Sequence, residues 1–286
     1  MKQAILVVAF GSTVDSAREQ NIDSVVKYIS KSFPDYTVKL AFSSRIIVKR
    51  LRERGGITIP TEQGALEQLI QDGYTHVYVQ PLHFTGGEEF DKLKHNILAH
   101  EGEGRLEVLR VGRPLVYYMA QEEHPDDYQI LIDRFIKSLN ISDEDGLLLV
   151  GHGGLGSGGN SSYGNLQFKL IRAGLTNVRV AVLENAPYIT DVALPWEWLD
   201  GKRPNRIYVH PLLLVLGDHA QNDLFGDADD SAINEIAAAG YEVEPINSAL
   251  GEYDVIHDIF RQHVQDCIDD IYGKRSAHRP AIPNIK

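Results

Sequence analysis

Two histidines and one glutamate in the second half of the chain stand at the ends of apolar, β-branched runs. His152 lies in Gly151-His152-Gly153-Gly154 after the run Gly146–Val150, and Glu184 follows Val178–Leu183. His219 lies in Gly217-Asp218-His219-Ala220, after Arg206–Leu214. Two neutral imidazoles and a carboxylate make a plausible open site for a divalent first-row metal. The same groups can take protons near neutral pH. Each residue alone has a simpler role. A histidine beside glycine at a strand end is more often a turn residue, and a lone glutamate there can serve a helix N-terminus. The metal and proton reading rests on all three converging at one sheet edge. The single cysteine, Cys267, excludes an intrachain disulfide and a cysteine-rich zinc site, which leaves imidazole as the available ligand.

Convergence requires that the three runs be neighbouring strands of a parallel sheet. Their composition fits this, since runs without polar alternation suit strands covered on both faces. The first half holds similar runs at Ile5–Phe10, Val38–Phe42, His76–Leu82 and Leu106–Val111, and Tyr241–Ile246 closes the second series. Helical spacing lies between them over 15–32, 61–71, 88–100 and 126–139, and again over 160–173, 187–199 and 229–239. Alternation of this kind predicts an α/β fold with parallel sheets flanked by helices.

The second series repeats the first. Tyr78-Val79-Gln80-Pro81-Leu82 matches Tyr208-Val209-His210-Pro211-Leu212, and in the same register Gly87-Glu88-Glu89 falls on Gly217-Asp218-His219. Phe10-Gly11 falls on His152-Gly153, and Ser44 falls opposite Glu184. Internal duplication follows. The expectation is two similar Rossmann-like lobes, 1–118 and 119–250, with a cleft between them. A closing helix over 251–272 can return to the first lobe, and 273–286 reads as a disordered tail. At the edge that carries His152, Glu184 and His219 in one lobe, the other carries Phe10, Ser44 and Glu89. The histidines occur in one copy only, as a single active site in the second lobe would require.

Other features weigh less. The glycines from Gly151 to Gly159 lack the ending of a nucleotide-binding loop, but they suit the close approach of a flat ligand. His83 lies near a strand end where it can line the cleft, whereas His210 reads as a packed strand histidine. Arg45, Lys49, Arg50, Arg52 and Arg54 form a basic cluster that reads first as a solvated helix face. Asp223, Asp227, Asp229 and Asp230 read as a solvated helix lead-in. The chain is 43% hydrophobic and 24% charged, which is globular composition. A formal net charge of -12 argues against a nucleic-acid partner. No apolar run is long enough for a membrane helix. The apolar N-terminus is too short for a signal peptide, so the expectation is a cytoplasmic protein without a membrane partner.

Several motifs together carry a family resemblance. They are Leu6-Val7-Val8-Ala9-Phe10-Gly11, Gly151-His152-Gly153, Ala181-Val182-Leu183-Glu184, and Pro211-Leu212 leading to Gly217-Asp218-His219-Ala220-Gln221-Asn222-Asp223. With Gln80-Pro81-Leu82-His83 and Gly87-Glu88-Glu89-Phe90, they make a chain that resembles the anaerobic sirohydrochlorin cobaltochelatases (CbiK type) of the class II tetrapyrrole chelatases. The resemblance runs from Lys2 to about Cys267, and the Gly-Asp-His-Ala-x-Asn-Asp stretch is its most specific part. It implies a bilobal chelatase fold with a tetrapyrrole cleft. It implies insertion of Co2+, the substrate metal, into sirohydrochlorin on the route to cobalamin, without a nucleotide. Carried over residue by residue, it makes His152 and His219 the metal ligands, with Glu184 assisting by taking a proton or completing the metal shell. Phe10, Ser44, Arg45, His83, Glu89 and Gly153 become candidates for contact with the macrocycle, Arg45 through its carboxylates.

Two alternatives stay open beside this one. One is the same scaffold acting with Ni2+, Fe2+ or another tetrapyrrole, since the ligand set alone does not select cobalt. The other is a protein that binds metal or tetrapyrrole without turnover. An additional haem at an interface also stays open, with His83, His95 and His100 as first-lobe candidates, as does a homo-oligomer.

Overall fold

Among the described residues the apolar runs become eight strands, each paired in parallel with its neighbours. In chain order the first four are β1 (Gln3–Ala9), β2 (Thr37–Phe42), β3 (His76–Pro81) and β4 (Val108–Val111). Between β1 and β2, α1 (Asp15–Arg18) leads through a π turn over Glu19–Asp23 into α2 (Ser24–Ser32). Helices α3 (Arg45–Arg54) and α4 (Glu62–Gln71) precede β3, and α5 (Glu88–Leu98) follows it. The second series opens with α6 (Asp127–Arg134), β5 (Gly146–Gly153), α7 (Ser157–Arg172) and β6 (Val178–Glu184). It continues with α8 (Ile189–Ala193), β7 (Arg206–Pro211), α9 (Asp218–Phe225), α10 (Ala232–Ala238) and β8 (Glu242–Pro245). Helix α11 (Asp254–Ile268) is the last element among the described residues. This computed structural model describes residues 1–121, 123–154 and 157–271, with Ser157, Gly158, Asp218 and His219 described by backbone alone. The tail expected over 273–286 lies outside the described residues.

The strand order is β2-β1-β3-β4 in one sheet and β6-β5-β7-β8 in the other. The registers repeat as well. Val8 faces Pro81 in the first sheet and Val150 faces Pro211 in the second. The next amide crosses back identically, Leu82 N to Val8 O at 2.8 Å and Leu212 N to Val150 O at 2.7 Å. Gly112 N to Val79 O and Ile246 N to Val209 O are the equivalent pair one strand further along. Each sheet therefore has its own core. Leu6, Val8, Val77, Val79 and Val111 pack under α4 and α5, and Leu148, Val150, Ala181, Ile207 and Val209 pack under α8 and α10.

The chain divides into two compact units, Met1–Tyr117 with the chain from Tyr253 onward, and Tyr118–Glu252. Helix α11 belongs to the first unit and packs on α2 and β3. Arg113 pairs with Asp266 at 2.8 Å, and Arg110 Nη1 donates to Ile268 O at 2.7 Å.

Three local expectations need correction. The segment 187–199 is not one helix, because Pro195 interrupts it; it forms α8 and a 3-10 turn at Trp196–Trp198. Helix α9 appears where the sequence pattern suggested none. Strands β5 and β6 run further than their apolar stretches, so His152 and Glu184 are strand residues and not loop residues.

His210 is fully buried on β7, edge-on to Phe135 with ring centroids 5.4 Å apart. Burial disfavours its cation and pulls the imidazole down to about 4. At neutral pH the group is uncharged folded or unfolded, so it costs nothing there. Below the ordinary histidine value the unfolded chain takes the proton first, so stability is lost as pH falls from about 6.5 toward 4. The loss is on the order of 3 kcal/mol at pH 4. Gln80 fills the matching position of the first sheet, where its Nε2 donates to Pro81 O and Arg113 O. His210→Gln is therefore expected to flatten acid unfolding between these pH values. Unchanged acid curves in urea titrations at pH 7 and pH 4.5 would reject this assignment.

Candidate functional site

In open parallel sheets the carboxyl ends of the strands, where the strand order reverses, are the place for ligands. In the second unit that edge is formed by β6, β5 and β7. His152 and Glu184 lie on adjacent strands there. The register pairs Gly153 with Glu184, which brings His152 Nδ1 within 3.9 Å of Glu184 Oε2. Both side chains are 57% exposed, so each keeps a face open to a ligand. His152 Nδ1 also lies 3.3 Å from Gly153 O.

Glycine at 153 makes this approach possible. Its φ is +79°, and a Cβ there would lie 2.1 Å from the carbonyl oxygen of Glu184. That atom is backbone and cannot turn aside. Beyond Glu184 the chain reverses through Asn185, itself at φ +67°, whose side chain donates to Gly154 O at 2.9 Å. Asn160 of α7 donates to Ala186 O at 3.0 Å and ties the same turn to the helix. Gly153→Ala is expected to cost about 1–3 kcal/mol and to push Glu184 away from His152. Gly154 has open space where its Cβ would be, so Gly154→Ala is the matched comparison. Equal melting temperatures for the two variants would show that position 153 is not constrained in this way.

The pair opens on a cavity of about 620 Å³ within the second unit. Its polar lining beyond His152 and Glu184 comes from Tyr188, Thr190, Asn222, Asp223, Asp230 and Glu235. Two of the four aspartates expected as a solvated lead-in, Asp223 and Asp230, thus border the site. Tyr188, 49% exposed just past β6, and Glu235 on α10 were not anticipated. An aromatic residue four positions after Glu184 was the one available hint. His219 falls in the first turn of α9, after Gly217 at its N-cap, and the neighbouring Ala220, Asn222 and Asp223 line the cavity. The His219 side chain lies outside the described residues. Among the described residues no cluster of three histidine, cysteine or acidic side chains forms a metal cage.

The remaining candidates belong to the first unit. Phe10 follows β1 and is 51% exposed, and Ser44 N donates to its carbonyl at 3.2 Å. Ser44 is buried and caps α3, its hydroxyl accepting from Ile47 N at 3.4 Å. Arg45 Nη2 donates to Gln63 Oε1 at 2.8 Å. The rest of the basic cluster lies along α3, with Val48 and Leu51 turned to the core. Arg54 in it pairs with Asp15 at 2.9 Å. Glu89 sits in the first turn of α5 and pairs with Lys92 at 3.4 Å. Both ring nitrogens of His83 are closed off from solvent without a hydrogen-bond partner, and burial pulls this imidazole down to about 4. His95 is exposed on α5, and His100 meets Glu103 at 2.8 Å. No helix among the described residues is long and apolar enough to cross a membrane.

Comparison with known proteins identifies the family. The sirohydrochlorin cobaltochelatase of Salmonella typhimurium is 30% identical over 270 residues, covering 94% of this chain and 97% of that protein. The sirohydrochlorin cobaltochelatase CbiKC of Nitratidesulfovibrio vulgaris is 27% identical over 263 residues, covering 92% and 89%. Among solved structures, SirB from Bacillus subtilis with Fe3+ shares the fold at a TM-score of 0.65 and 18% identity, covering 96% of this chain and 98% of SirB. The model of the cobalt chelatase (CbiK) family matches residues 3–269. By that match and those relatives, the chain belongs to the cobalt chelatase family, and it is a chelatase enzyme of class II type.

Proposed function

We propose that the protein inserts Co2+ into sirohydrochlorin without nucleotide hydrolysis, and that His152, Glu184 and His219 carry the reaction. The observation that supports this most is the placement of His152 and Glu184. An imidazole nitrogen and a carboxylate oxygen stand 3.9 Å apart on adjacent strand ends, both exposed to one cavity. Insertion exchanges two pyrrole N–H protons for one divalent ion. It needs a ligand that holds the metal loosely enough to release it and a base that takes protons from the ring. His152 and His219 hold Co2+ through neutral nitrogens, leaving coordination positions free for the macrocycle. Glu184 receives the two pyrrole protons in turn and passes each to solvent through its exposed face. Asp223, Asp230 and Glu235 keep the cavity negative, which favours entry of a cation. Metal affinity is expected to weaken in acid, because a protonated imidazole cannot coordinate.

A crystal soaked in Co2+ tests the ligand assignment. Anomalous density within coordination distance of His152 and His219 is the expected result. Density confined to other residues would remove these ligands from the account. Insertion assays with Co2+, Ni2+ and Fe2+ then establish the metal preference, which the ligand types do not set.

A further inference from the structure

We propose that Tyr163 is a positioning residue for metal insertion, its buried hydroxyl fixing the backbone of His152 and Gly153. This rests on the reading that His152 binds the substrate metal. Tyr163 lies on α7 and is 5% exposed. Its ring lies against Gly151, where a Cβ would come 2.1 Å from Tyr163 Cε1 and 2.6 Å from Oη. Burial pushes the phenol up to about 12, against the opposing pull of hydrogen bonding from the Gly153 and His152 backbone.

The ladder geometry explains why a side chain is needed there. On one side β5 pairs with β6 as far as Gly153 and Glu184. On the other, pairing with β7 ends at Val150 and Pro211. Past Val150 the strand end that carries His152 is thus laddered on one side only. Tyr163 supplies hydrogen-bond acceptance to that strand end, and the absence of a side chain at Gly151 lets the phenol reach it. A ligand whose backbone can pivot spreads its imidazole over many orientations, and metal affinity falls with the loss of that outer support.

Tyr163→Phe keeps the ring in the Gly151 notch and deletes only the oxygen. Its Co2+ dissociation constant, read by equilibrium titration of the cobalt absorption bands, is expected to rise about tenfold or more. The KM for Co2+ should rise with it, while the KM for sirohydrochlorin stays at the wild-type value. Tyr128 is a second buried tyrosine, on α6, whose hydroxyl is engaged by Ser162 and Asn165. Tyr128→Phe therefore removes a hydroxyl from the same core and should leave Co2+ affinity unchanged. Wild-type Co2+ affinity in Tyr163→Phe would overturn the proposal, as would an equal loss in Tyr128→Phe. The underlying reading is judged separately in the same titration. If His152→Ala binds Co2+ as the wild type does, that reading fails, whatever Tyr163→Phe shows.

Discussion

His152→Ala is expected to lower kcat/KM for Co2+ insertion by about 10²–10³-fold, with the fold intact. Four-ligand structural zinc sites bind with ~10–16 kcal/mol, which puts each protein ligand at about 2.5–4 kcal/mol. At 1.36 kcal/mol per tenfold, that gives about 10²–10³-fold. The loss should appear chiefly in the KM for Co2+, because the variant removes metal capture and leaves the base in place. Stability should hardly change, since the side chain is 57% exposed and its contact with Glu184, at 3.9 Å, is long and solvated. Steady-state insertion kinetics and a thermal melt decide this together. A variant with wild-type KM for Co2+ would show that His152 is not a ligand.

Glu184→Gln is the second large effect. Glutamine keeps the shape and an acceptor oxygen but cannot accept the pyrrole proton. A positioned general base contributes about 10²–10⁴-fold, so kcat should fall by at least about a hundredfold. If proton transfer is its role, the KM for Co2+ changes far less than kcat. This split separates a base from a ligand, because a lost ligand raises KM first. An inactive variant whose Co2+ affinity collapses in parallel would move Glu184 into the metal shell.

Much of the architecture was legible because buried parallel strands leave a strong pattern. Runs such as Ile5-Leu6-Val7-Val8-Ala9 have no polar alternation, and all of these residues are fully buried. The repeat between Tyr78–Leu82 and Tyr208–Leu212 was readable for the same reason. The register that places Pro81 and Pro211 opposite equivalent valines is a consequence of that shared sequence. Helix α9 left no such trace, since Asp218–Phe225 contains few apolar residues to show a period. At the site, His152 and Glu184 could be found because each follows its own apolar run directly. Tyr163 and Glu235 could not, because Tyr163 reaches the site through the folding of α7 back onto the strand just before it, and Glu235 comes from α10, distant in sequence from β5 and β6. Gly151 and Gly153 were visible as glycines, but the reasons for them are tertiary contacts, with Tyr163 and with the Glu184 carbonyl. The net charge of -12 now has a local counterpart in the acidic lining of the cavity, which suits a cation before it suits a polycarboxylate.

The central claim is that this chain turns over, taking up Co2+ and releasing a metallated ring repeatedly. The most direct measurement is the absorption change of sirohydrochlorin with excess Co2+ at protein concentrations far below that of the macrocycle. The account predicts that the metallated spectrum continues to grow through many equivalents per protein, at a rate proportional to protein and above the uncatalysed background. Growth that stops at one equivalent would contradict it and leave a protein that binds metal and macrocycle without catalysis.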